Sequence, residues 1–148
     1  MGILNFIFGK KENAIIMDDF FGELTIDDNF CKFKRHFAPL NQAIDGALEL
    51  DNGKPNAEQK AFYALIEKEY TALIPSLMAC IEKEYINWDK DFKIIDFEKE
   101  FTLVGLSLSL CNSEPINWEM SFDTIHDDNH TIFISMANSD IEHIMIDV

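Results

Sequence analysis

Residues 124–133 read TIHDDNHTIF, in which His126 and His130 stand four apart with Asp127, Asp128 and Asn129 between them. Two imidazoles and a nearby carboxylate form a donor set that suits zinc or iron. A metal-dependent hydrolase is the activity such a centre would support. Ligands, however, need a supporting shell to hold them, and the sequence places no third ligand beside this pair. His143, in the last apolar segment, is the one spare candidate. Asp-Asp-Asn is also good turn chemistry, because these side chains bond their own backbone and tolerate left-handed geometry. We therefore expect residues 126–130 to connect two antiparallel strands with a histidine on each side, and no metal.

Three acidic pairs come next: Asp18–Asp19, Asp27–Asp28 and Asp127–Asp128. Paired carboxylates do acid–base work only when burial or neighbours push their pKa values apart. Adjacent residues in exposed turns have neither, so these pairs read as solvated turns that could gather at one edge of a sheet and meet a basic protein. Trp88, just beyond a helical segment, is either a plug on the helix end or an exposed anchor. The candidate partner-binding set is thus Asp18, Asp19, Asp27, Asp28, Trp88, Asp127 and Asp128, with no catalytic residue and no cofactor expected. No nucleophile elbow, phosphate loop, zinc-protease helix or dinucleotide fingerprint is present. Cys31, Cys80 and Cys111 are odd in number and widely spaced in apolar-rich segments. That spacing excludes a disulfide framework or a zinc ribbon and points to buried free thiols.

The 12 basic and 27 acidic residues leave a net charge of −15. Such a surface repels nucleic-acid phosphates and anionic lipid, and it steers a basic protein inward. With 148 residues, 47% apolar and 13 Phe, the chain can bury one real core, so residues 1–148 are expected to form a single domain. No segment approaches the ~20 apolar residues of a membrane span. The opening MGILNFIFGKK has its lysines after the apolar run, the wrong order for a secretion signal. It also lacks the hydroxyl residue of a myristoylation signal. A cytoplasmic protein is expected, with this run as an edge strand or a short docking helix.

The elements that must position these groups follow from periodicity. FFGELTID, from Phe20 to Asp27, reads as a strand between acidic turns; FCKFKRHF follows, then Pro39 interrupts. Ile44, Gly46, Leu48 and Leu50 share one parity, and DNGKP closes that strand with a turn. Asn56 is a helix cap with Gln59 three residues on, a capping-box variant. Beyond it Phe62, Leu65, Ile66, Tyr70, Leu73, Leu77, Ile81 and Tyr85 recur at helical spacing. Pro75 interrupts this stripe, so a kink or a split is expected within about 56–87. DKDFKIIDFEKEF suits a short helix or a loop. Val104, Leu106, Leu108 and Leu110 then define a strand face, with Gly105 marking a bulge. Ile116, Trp118, Met120 and Phe122 define a second, Ile132, Ile134 and Met136 a third, and Ile144 and Ile146 a fourth. The expected fold is α+β: an antiparallel meander sheet with a long, kinked or split helix packed on one face.

The order of these segments resembles a family of small acidic bacterial proteins often associated with polymorphic toxin or type VI secretion loci. The likeness rests on Phe21, Gly22, Leu24 and Asp27; on Pro55, Gln59, Lys60, Ala61 and Phe62; and on Trp118 to Phe122. It spans nearly the whole chain, and its motifs are structural, not catalytic. The resemblance implies an immunity-type protein that neutralises a cognate toxin, a basic domain, through an acidic surface. A regulatory module of the same fold with no toxin partner is the alternative. The Gly-Trp-x-Pro element that members carry before the final strand is missing from MANSDIEHIMIDV.

Overall fold

A computed structural model of the chain describes residues 2–4, 6–7 and 13–147. Gly2–Leu4 (β1) and Phe6–Ile7 (β2) pair with each other in parallel, apart from the main sheet. The rest of the N-terminal run that suggested an edge strand or docking helix lies outside the described residues.

Alternation and turn chemistry produce two runs of four strands. The first holds Ala14–Asp18 (β3), Gly22–Asp27 (β4), Phe30–Phe37 (β5) and Gln42–Glu49 (β6). The Asp18 carboxylate accepts the N–H groups of Phe20 and Phe21 and so closes the β3–β4 turn, while Asp28 turns the next hairpin with φ of 59°. Arg35 lies 4.1 Å over the Phe20 ring and donates to the Phe20 carbonyl, which pins that first turn to β5. A 3-10 turn at Ala38–Leu40, with Pro39 in its first turn, separates β5 from β6.

The second run holds Phe101–Leu108 (β7), Asn117–Thr124 (β8), Asp127–Ala137 (β9) and Asp140–Asp147 (β10). All eight strands form one sheet in the order β10-β9-β8-β7-β6-β5-β4-β3. Each run is an antiparallel meander; periodicity suggested this for the second, while it did not mark Ala14–Asp18 in the first as a strand. The two runs join through a parallel β6–β7 pair that periodicity did not reveal. Parallel neighbours need a crossover, and Ala57–Tyr85 (α1) supplies it, followed by the short Phe97–Glu100 (α2).

Asn56 and Gln59 form the reciprocal capping box. Pro75 neither ends nor splits the helix, which runs unbroken for 29 residues. Its ring leaves the Thr71 carbonyl without an N–H four residues on. Both residues face solvent, so water can take that bond. Phe62, Ile66, Tyr70, Leu77, Ile81 and Tyr85 are buried against the sheet together with Tyr63. Leu65, counted in the stripe, instead sits 47% exposed.

A bulge between Leu103 and Gly105 resets β7, so Leu103, Leu106 and Leu108 point inward. Val104 falls out of that face and Leu110 lies past the strand end. Each fully buried Leu, Ile or Phe contributes about 1.5–3 kcal/mol. The sheet's second face has no helix over it and is mostly polar, but it also carries the large apolar side chains of Ile15, Met17, Phe30, Phe133 and Met145. Cys31 and Cys111 are buried, and burial pushes both thiols up to about 11. They therefore stay protonated at neutral pH and are poor nucleophiles. No helix among the described residues is long and apolar enough to cross a membrane.

Candidate interaction surface

One end of the sheet gathers the C-terminus of α1, the 86–96 loop, α2 and the β8–β9 hairpin. Its organising group is Glu100, which is nearly buried. The carboxylate accepts the N–H of Ile95 at 2.8 Å and of Asp96 at 2.6 Å, while its other oxygen meets His126 Nε2 at 2.8 Å. The Glu100 carbonyl accepts Thr124 Oγ1 and the Ile125 N–H. One residue therefore ties loop, short helix and hairpin together. Backbone donation from Asp96, with His126 and Ile95 adding, holds the Glu100 carboxyl below its ordinary range despite burial. On the helix side, Glu82 accepts the N–H of Ile94 at 2.8 Å. Tyr85 stacks on Phe92 with centroids 4.6 Å apart, and Phe92 meets the His126 ring at 5.0 Å.

Around this fixed frame, large apolar side chains face water. Trp88 is 65% exposed and stands edge-on to Tyr85 at 5.5 Å; Ile95 is 81% exposed and Ile125 68%. Residues 86–100 with Asp123, Asp127 and Asp128 bring eight carboxylates against three lysines. The surface is therefore apolar at its anchors and anionic around them.

The expected turn is displaced. Ile125 and His126 form the hairpin tip, and Asp127 to His130 already belong to β9. The displacement follows from pairing: Thr124 pairs with Asp127, and Thr124 Oγ1 accepts the His126 N–H. The acidic run that favoured a turn is held at the strand entrance, where Asp127 accepts the Asn129 N–H and meets His130 Nδ1. The Asn129 N–H, then His130, hold the Asp127 carboxyl below its usual value. The two histidines are thus committed to different carboxylates. Among the described residues no three His, Cys, Asp or Glu side chains converge as a metal cage would need.

The three acidic pairs do not gather at one edge. Asp18–Asp19 and Asp127–Asp128 share one end of the sheet but stand on strands six spacings apart, about 29 Å along it. Asp27–Asp28 sits at the opposite end. Lys60 partly neutralises the first pair, reaching Asp18 at 3.4 Å and Asp19 at 2.8 Å. Trp88 is exposed and does not plug the helix end, and of the other candidates it is Asp127, with its neighbour Asp128, that comes near Tyr85, on which Trp88 packs. Sequence reasoning missed Ile95, Ile125, Glu100 and His126 as parts of it. An isoleucine inside an otherwise polar turn was the available signal for Ile125.

No family model, no curated protein and no solved structure matches this chain.

Proposed function

We propose that the protein is a non-enzymatic binding module of immunity type, which captures a basic protein, a toxin or effector domain, at the Glu100 end of the sheet. The exposure of Ile95 and Ile125 on segments fastened by Glu100, with Trp88 exposed against Tyr85 at the same end, carries this reading. Contiguous exposed apolar side chains ringed by polar ones are typical of protein contacts, and aromatic anchors dominate their energetics. The frame is fixed before binding, so little ordering entropy opposes association. The acidic rim supplies steering toward a positively charged partner. The Asp18–Asp19 and Asp27–Asp28 pairs lie outside this surface and are not assigned to it.

The test is capture by the tagged protein from its native cells at low and moderate salt, repeated with Trp88→Ala/Ile125→Ser and with Asp27→Asn/Asp28→Asn. One basic protein should bind, weaken as salt rises, be lost by the first variant and kept by the second. Co-expression should then relieve that partner's toxicity. A partner indifferent to Trp88 and Ile125, or no specific partner at either salt, would overturn the proposal.

A further inference from the structure

A second concave feature lies on the helix face at the opposite end of the sheet. Helical periodicity puts Leu65 in line with the core stripe, yet it stays 47% exposed because no strand reaches across to cover it. Between that stretch of α1 and the entry to β8 runs a groove of about 320 Å³, floored by Phe62, Ile66, Ile116 and Trp118. This lies at the lower end of small-ligand sites. The floor is built before any ligand arrives. Phe62 and Trp118 meet edge to face at 5.7 Å, and Trp118 Nε1 donates to the Asn138 carbonyl at 2.7 Å. Asn138 also exchanges bonds with Ile116, donating its N–H to the carbonyl and accepting the Ile116 N–H on Oδ1. The indole donor is therefore satisfied within the protein, and the groove meets a ligand with apolar surface.

Its ionisable lining is of one sign. Glu69 on α1 and Glu114 before β8 are both exposed at the rim, and no lysine, arginine or histidine lines the groove among the described residues. An apolar floor under two carboxylates complements a molecule with a hydrocarbon or aromatic body and one positive head. Neutral apolar ligands leave the carboxylates unused, and anions meet repulsion.

We propose that this groove is a binding site for a small organic cation, an ammonium or guanidinium carried on a compact apolar body. The site is separate from the surface assigned above: Ile66 and Trp88 are 22 residues apart along and just beyond the helix, about 30 Å. The two proposals therefore stand or fall independently.

Trp118 reports on the groove directly. With Trp88→Phe as background it is the remaining tryptophan of the two. Phenethylammonium should shift its emission saturably, and the neutral isostere phenylethanol should bind about tenfold more weakly at low salt. Glu69→Gln/Glu114→Gln removes only exposed charges and should leave the circular dichroism spectrum unchanged. It should weaken the ammonium to the level of the alcohol while leaving the alcohol unaffected. Equal binding of the two probes, no effect of the double variant, or an unmoved Trp118 each overturns the assignment. A protein retained by the parent and released by the double variant, with Trp118 indifferent to both probes, would give the groove to a macromolecule instead.

Discussion

Two side chains, one at each end of the sheet, do similar architectural work with opposite chemistry. Gln59, fully buried, donates through Nε2 to the Glu49 carbonyl at 2.7 Å and the Ser109 carbonyl at 2.9 Å, while Oε1 accepts the Asn56 N–H. It thereby joins the start of α1 to the ends of both parallel strands. Glu100 joins loop, α2 and hairpin at the other end with a carboxylate. The amide sits where water cannot follow, so it is neutral and meets donors and acceptors alike. The carboxylate sits next to solvent and meets donors only. Deep in a core a neutral hub holds the fold at any pH. Close to solvent a charged hub costs less to bury and is open to acid and to mutation.

The sharpest test of that contrast is Gln59→Ala, which strands two carbonyls inside the protein. It should cost about 3 kcal/mol, seen as a lower urea midpoint with the same loss at pH 5 and pH 8. A loss that changed markedly with pH would break the comparison. Glu100→Ala comes next, at about 1–2 kcal/mol, because the freed Ile95 and Asp96 N–H groups lie near water. Hydrogen exchange should quicken in the 94–96 segment and the β8–β9 tip while the β6–β7 junction stays protected.

The acid limb separates the hubs further. The Glu100 carboxyl titrates below its unfolded value, which is near 4.3. Its contribution is therefore complete well above that pH and is lost as pH falls through the lower folded value. Glu100→Gln should flatten part of the fall in thermal midpoint between about pH 5 and pH 2, and Gln59→Ala should leave that slope as it is. The smallest stability effect belongs to Trp88→Ala, within about 0.5 kcal/mol of the parent, since the side chain faces water. Its expected signature is instead a loss of partner capture of about tenfold or more.

How much of this was legible depends on how local the governing physics is. The capping box at Asn56 and Gln59, the turn at Asp18–Asp19, the bulge at Gly105 and the inward faces of β8 and β9 all rest on contacts a few residues apart. Each could be read directly. Leu65 shows where periodicity stops: it shares the helical spacing of its buried neighbours, but no strand lies opposite it. The β8–β9 turn shows the same limit. Its composition marks Asp127 to Asn129 as the bend, but Thr124–Asp127 pairing moves the bend two residues earlier. Glu100 was invisible as a hub because its five partners come from the loop before α2 and from the end of β8 and the hairpin tip after it. Nothing in FEKE distinguishes it from Glu98, which faces water.

By itself, then, the order of residues determined an acidic α+β chain with strands on either side of a long capped helix, a meander in the last of them, and Cys31 and Cys111 as free thiols kept in the core, while Cys80 is only partly buried. Periodicity, capping and charge are properties a segment carries with it. The tertiary structure alone decided that the two runs of strands join in parallel, that Gln59 reaches both junction strands, and that Trp88, Ile95 and Ile125 lie at one end of the sheet while the acidic pairs scatter. Those outcomes depend on which segments become neighbours when the helix crosses the sheet, and that choice is made by packing the whole core at once.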